Sequence, residues 1–373
     1  MSASPRPIPL RPLLAALVLL AAIGVALSPS KAAAALPGTV PALSWGIPNA
    51  DKEREADFLA ASGSRWVRLH VQWRDVQPRR GFYDPYWLRQ YGHAIRLAHQ
   101  AGQRVLVMTY NAPAWASGSP ARNVPRHART FGDYIGGLAR RLGPGVDAYE
   151  IWNEQNTRRF WSTGSDPAAY AKLLRIAYPA VKRANPNAQV VFGGLSTNDY
   201  GYLEGAYAAG AKGSFDVMAT HPYPYCGATS PRATRTAANG RMSRDSFLAY
   251  REVRATMLAH DDPRPIWMTE LGWTTSSRRC DPSAGFYQGG VSEGEQARYL
   301  TTAFELLERD PYVQVAMWYA LRNHPGLGDR DTAEARYGLL RSDFRPRPSF
   351  CAFRRYAHPS ALPDLCPLLV PLG

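Results

Sequence analysis

Hydrophobic and polar positions alternate along the chain in two registers. Short β-branched or apolar runs recur, and each is followed by a longer stretch with apolar residues three and four apart. The runs at 43–47 (LSWGI), 65–71 (RWVRLHV), 104–110 (RVLVMTY) and 148–154 (AYEIWNE) read as the first four strands. Four more follow at 189–196 (QVVFGGLS), 215–223 (FDVMATHPY), 265–273 (PIWMTELGW) and 313–321 (VQVAMWYAL). Amphipathic stretches over 85–101, 129–142, 167–184, 244–260 and 293–309 predict helices between them. Asp166 and Pro167 supply an N-cap and a first-turn proline, and Ser292 with Glu295 spells a capping box. Strand and helix alternating without a central linker predict one α/β domain, a (β/α)8 TIM barrel over residues 36–373. A doubly wound sheet is the competitor. It usually carries a glycine-rich phosphate loop after its first strand, and Gly46-Ile47-Pro48-Asn49 is not one.

The first 35 residues fall outside this pattern. Arg6 and Arg11 precede an apolar run from Leu13 to Leu27, and Ala32 to Ala35 form a small-residue patch. That order is the one of a secretory signal peptide, and the run is shorter than the roughly 20 residues a membrane-spanning helix needs. The mature chain is expected to be secreted, without stable membrane insertion and as a monomer. In an oxidising compartment the four cysteines read as disulfides, with three pairings open. Cys226 and Cys280 both follow strand-like runs and would join neighbouring loops. Cys351 and Cys366 would pin the C-terminal tail to the last helix.

The formal charge of +14 falls to 14 − 3 = +11 once Arg6, Arg11 and Lys31 leave with the signal. Nucleic-acid binding calls for basic residues clustered on one face or arm. Here they are scattered, as in Arg140-Arg141, Arg158-Arg159 and Arg354-Arg355, so a solvated basic surface is expected and nucleic acid is not a partner. No CxxC, no HExxH and no GxSxG elbow after a strand is present, so zinc, metalloprotease and serine-hydrolase chemistry are not indicated.

Barrel active sites lie at the C-terminal ends of the strands, so the last residues of each run carry the chemistry. The fourth strand ends in Asn153-Glu154, the sixth in His221-Pro222-Tyr223, the seventh in Glu270 and the eighth near Trp318. Strands four and seven lie three apart round an eight-membered ring, so Glu154 and Glu270 can face each other across the mouth. Two carboxylates across a cleft do the work of glycoside hydrolysis: one protonates the departing oxygen, the other attacks the anomeric carbon or activates water. Glu150 shares parity with Glu154 if the strand is regular, and would then support from one layer below; the alternative is an outward, structural role.

An ordered series of motifs runs through the mature chain: WRDVQPRRGFYD (73–84), YNAPAWA (110–116), YEIWNEQN (149–156), RFWSTGSDPAAYAKLL (159–174), THPY (220–223), MTELGW (268–273) and YGLLRSDFRPRPSF (337–350). In this series the chain resembles clan A glycoside hydrolases, most of all family 39 and the related secreted exopolysaccharide glycosidases. The resemblance implies that Glu154, after asparagine on strand four, is the acid/base and that Glu270, ending strand seven, is the nucleophile. It implies retention of configuration, a carbohydrate substrate and no cofactor or metal. Arg68 matches the clan arginine that contacts the nucleophile, and Trp318 resembles the platform under the sugar being cleaved. Tyr223 is a candidate donor to Glu270, His221 a candidate for the pocket wall, and Asn153 fits a bond to the sugar 2-hydroxyl. Trp115, Trp161 and Trp273 fit either sugar contact or packing, while Trp45, Trp66, Trp73 and Trp87 read as barrel and helix packing. Two positions depart from the pattern: Gln77 where relatives often have glutamate, and Gln155 where proline often follows the acid/base. A carbohydrate-binding barrel without catalysis and a transglycosylase are the other functions this cleft would serve.

Overall fold

The computed structural model describes Met1, residues 35–280, 289–328 and 330–358, and Cys366. The expected signal peptide lies outside the described residues. The unit spanning Ala33–Gly373 carries eight parallel strands closed in sequence order: β1 (Leu36–Thr39), β2 (Trp66–Gln72), β3 (Arg104–Tyr110), β4 (Ala148–Asn153), β5 (Gln189–Ser196), β6 (Met218–His221), β7 (Ile266–Leu271) and β8 (Val313–Trp318), with β1 also pairing β8. Helices alternate with them: α1 (Asn49–Ser62), α2 (Trp73–Val76) and α3 (Pro85–Gln100), α4 (Ala114–Ser117) and α5 (Ala128–Leu142), α6 (Pro167–Ala184), α7 (Tyr200–Ala208), α8 (Tyr250–Ala259), α9 (Glu293–Leu307) and α10 (Pro348–Ala357). This is the predicted TIM barrel.

The caps foreseen in the sequence are formed. Asp166 accepts a hydrogen bond from the Ala169 amide at 2.9 Å ahead of α6. Ahead of α9, Ser292 Oγ accepts from the Glu295 amide, and Glu295 Oε2 accepts from the Ser292 amide at 2.9 Å. One strand is misplaced by the sequence reading. Residues 43–47 form a turn at the barrel mouth, and β1 is the LPGT segment at 36–39. That segment is short and not rich in β-branched residues, so its pattern is faint. Gly38 explains the choice: a Cβ there would lie 2.8 Å from Met317 Cγ and 3.1 Å from Trp66 Cβ, so only glycine lets β1 close the ring between β2 and β8.

Side-chain parity divides the barrel into two cores. Trp66, Leu106, Ala148, Val191, Trp267, Val315 and Met317 fill the interior. Val67, Leu69, Tyr149, Ile151, Met268, Ala316 and Trp318 face outward into the layer beneath the helices. With a period of two, the interior positions after Trp66, Ala148 and Trp267 are Arg68, Glu150 and Thr269. A polar layer therefore sits above an apolar plug. The disulfides are Cys226–Cys280 and Cys351–Cys366, the second tying α10 to the tail. Among the described residues no helix is long and apolar enough to cross a membrane.

Candidate active site

Regular alternation would not put both glutamates into the mouth. On β4, Ile151 and Trp152 both face outward, because Trp152 adopts φ 77° and breaks the alternation. A bulky residue at positive φ costs about 1–3 kcal/mol and persists only where its surroundings enforce it. Here Trp152 packs edge-on against Phe131 and Trp161 and donates its Nε1–H to Phe160 O at 2.7 Å. The kink returns Asn153 inward, and Glu154, itself at φ 41°, extends into the cleft. On β7 the pairing with β8 shifts register between Met268 and Leu271, so Thr269 stays inward while Glu270 reaches the mouth. Both irregularities fall within the two or three residues at a glutamate, and at each one the lost regularity re-aims a side chain.

Arg68 organises the site from below. Fully buried, it donates from Nε to Glu150 Oε2 at 2.6 Å, from Nη1 to Glu270 Oε1 at 2.5 Å, and from Nη2 to Asn153 Oδ1 at 2.8 Å. Its Nη1 also lies 3.1 Å from His70 Nε2. An arginine only donates, so that ring nitrogen accepts and the imidazole is neutral. Burial first, then the Arg68 charge, pulls the His70 pKa down to about 3. Glu150 is a buried support, one layer down: its Oε1 accepts from the Gly194 amide and the Thr269 hydroxyl, both at 2.9 Å.

Glu270 is 8% exposed. Burial alone pushes its carboxyl up, but His221 and Arg68, with a hydrogen bond from Tyr223 OH to Oε2 at 3.0 Å, hold it down at about 2. His221 Nδ1 lies 3.0 Å from Glu154 Oε1 and 3.7 Å from Glu270 Oε2. Burial opposes charge on this imidazole, yet Glu270 and the Glu154 hydrogen bond outweigh it and raise its pKa. A carboxylate oxygen of Glu154, one of Glu270 and a His221 nitrogen lie within 4.8 Å of one another. Arg68 and Tyr223 already serve both Glu270 oxygens, so the trio reads as a proton-handling cluster rather than a metal centre.

The glutamates line a cleft of about 720 Å³, together with Asn153, Tyr223 and His70. The tryptophan expectations give way here. Trp318 is fully buried in the outer layer and donates to Tyr337 O at 3.1 Å. Its parity is that of Ala316, so the next residue, Tyr319, lines the cleft instead. Trp273 and Trp161 are buried too, donating to Thr229 O and packing on Trp152 respectively. Trp115 is bound to Gln77 O and stands edge-on to Trp73, outside the cleft lining. Conversely, Trp45 and Trp87, read as packing, line the cleft. His70 was missed although its signal was present, since Trp66, Arg68 and His70 share one strand face. The two departures from the family pattern are structural. Gln77 accepts from Trp73 Nε1 at 2.9 Å, and Gln155, fully buried, donates to Gly193 O at 2.8 Å.

Paired carboxylates across the mouth of a closed parallel barrel are the arrangement that glycoside hydrolysis uses. The chain belongs to the cellulase family, glycosyl hydrolase family 5, whose model matches residues 28–303. Its structure is similar to that of a family 39 glycoside hydrolase from Bacteroides cellulosilyticus (TM-score 0.68, 23% identity, 87% of this chain and 64% of that one). The chain thus spans less than two thirds of that enzyme's length. A subfamily 18 member of family 5 from Streptomyces cattleya, solved with Manβ1-4GlcNAc, gives TM-score 0.68 at 19% identity over 88% of this chain and 82% of the other. An exo-β-1,4-mannosidase from Opitutaceae bacterium strain TAV5 gives 0.64 at 18% identity over 87% and 59%. These likenesses show the shared fold. Comparison with curated proteins finds no match. The clan resemblance read from the motifs holds. The chain carries a glycoside hydrolase domain of that clan.

Proposed function

We propose that the protein is an exported, monomeric, retaining β-glycosidase that cleaves O-glycosidic bonds of a polysaccharide or oligosaccharide by double displacement, after removal of residues 1–35. The observation that carries this reading is the spacing of Glu154 and Glu270. Oxygens within 4.8 Å suit carboxyl groups about 5–5.5 Å apart, the separation of retaining enzymes; inverting enzymes need about 6.5–9.5 Å to admit a water.

Glu270, kept ionised by Arg68, Tyr223 and His221, attacks the anomeric carbon as the glycosidic C–O bond breaks. Glu154 gives its proton to the departing oxygen. Water then enters, Glu154 takes its proton, and the new C–O bond displaces Glu270. Arg68 occupies the Asn153 carbonyl oxygen, which leaves the Asn153 amide N–H groups for a sugar 2-hydroxyl, a bond that strengthens as positive charge develops on the ring.

A panel of activated aryl β-glycosides and polysaccharides, assayed with wild type and Glu270→Ala and followed by proton NMR of the first-formed anomer, tests the reading. Expected is a β-anomer product from wild type and a loss of at least about 10³-fold in the variant. An α-anomer as first product overturns retention, and equal turnover by both proteins overturns the role of Glu270.

A further inference from the structure

Behind the acid/base lies a buried chain of hydrogen bonds that the double-displacement scheme leaves unused. Glu154 Oε1 meets His221 Nδ1 at 3.0 Å, His221 Nε2 meets Thr269 Oγ1 at 3.0 Å, and Thr269 Oγ1 donates to Glu150 Oε1 at 2.9 Å. Three strands contribute: β4 gives Glu150 and is followed by Glu154, β7 gives Thr269, and His221 ends β6.

The direction of each bond follows from proton counting. A hydroxyl has one hydrogen. Glu150 accepts from Arg68 Nε, from the Gly194 amide and from Thr269, so the Thr269 hydrogen is committed there. Thr269 Oγ1 can then only accept from His221, which fixes the Nε2–H tautomer of that ring. Gly194 closes the cage: a Cβ there would lie 2.1 Å from His221 Nε2 and 2.8 Å from Thr269 Oγ1. The exchangeable position is therefore Nδ1, the nitrogen that faces Glu154.

Resting on the glycosidase reading, we propose that Glu150 and Thr269 are positioning residues which lock His221 so that its Nδ1 shares one proton with Glu154, making a Glu154–His221 pair the working acid/base. The proton moves between Glu154 Oε1 and His221 Nδ1 without change in the total charge. When the pair protonates the leaving oxygen it loses one proton, and it regains one from the attacking water. The charged and titratable groups facing this pair are Glu270 on β7, Arg68 and His70 on β2, Tyr223 after β6, and Tyr337 between β8 and α10. Glu270 and Glu154 favour a cationic imidazole and Arg68 opposes it.

Thr269→Val removes the acceptor for Nε2–H at nearly constant volume. An imidazolium with a buried, unpartnered N–H holds its proton less well, so the alkaline limb of kcat/KM against pH moves down by about one to two units. Thr269→Ser restores it. A fall in rate at every pH with an unmoved limb assigns Thr269 a packing role and overturns the proposal. The second measurement needs neither activity nor a variant. In histidine-labelled wild type, nitrogen NMR is expected to show His221 Nε2 protonated throughout, with Nδ1 the nitrogen that titrates. A neutral form protonated on Nδ1 overturns the proposal, whatever the enzyme cleaves. Failure of the glycosidase reading is separate: it would show as inert wild type on every sugar with this tautomer intact.

Discussion

Arg68→Met tests the electrostatic frame of the site most directly. The guanidinium is fully buried and contacts two carboxylates, Glu150 at 2.6 Å and Glu270 at 2.5 Å. Methionine fills similar volume but leaves both carboxylates without that cation. Breaking one partner out of a buried ion pair costs about 3–5 kcal/mol, equal to about two to four pKa units at 1.36 kcal/mol each. Those units are the ceiling for Glu270, held at about 2 in the wild type, because the cost is shared with Glu150 and His221 still holds the carboxyl down. The sign follows from its proposed role: a nucleophile must be ionised, so activity is lost as pH falls through its pKa, and the acid limb of kcat/KM moves up, by at most those units. Stability follows the same linkage. A carboxyl depressed below its ordinary 4.5 stabilises the fold above that value, and the contribution is lost as pH falls toward 2. The variant lacks it, and its melting temperature at pH 7 drops by roughly 5–10 °C. Rate profiles on an aryl glycoside between pH 3 and 8, with thermal unfolding across the same range, provide the measurement. An unmoved acid limb together with an unchanged melting temperature would refute the reasoning.

Other variants separate the roles of neighbouring residues. Gly194→Ala is expected to displace His221, lowering kcat/KM at least about 100-fold while the far-ultraviolet circular dichroism stays native; activity within twofold of wild type would show that the ring is not clamped. Trp318→Phe should cost about 2–4 kcal/mol of stability with KM unchanged, whereas Tyr319→Ala should raise KM severalfold with little effect on melting; the opposite pattern would restore the tryptophan as a sugar platform. Cys351→Ser opens a loop of 15 residues and should cost about 3 kcal/mol in unfolding, with kcat on the same substrate unaltered.

Strand and helix periodicity, with capping residues at Asp166 and Ser292, carried the barrel, because these signals are local and each element reads its own pattern. Position at strand ends then singled out Glu154 and Glu270, since the fold has one chemically active face. Sequence favoured the Cys351–Cys366 and Cys226–Cys280 pairings among three open ones, and the structure forms both. β1 escaped notice because a four-residue strand whose fit depends on Gly38 has almost no period to read.

What tertiary structure decided is parity. Arg68, Glu150 and Thr269 follow from counting in twos, and so does the outward fate of Trp318. Asn153 and Glu270 do not: Asn153 turns inward because Trp152 at φ 77° breaks the count on β4, and Glu270 reaches the cleft because β7 shifts register against β8. The break on β4 is held by contacts distant in sequence, such as the packing of Trp152 on Phe131. A local pattern cannot announce them. The two candidate carboxylates were therefore legible in the sequence, but their meeting across one cleft, and the buried chain from Glu150 to Glu154, came from the closed barrel alone.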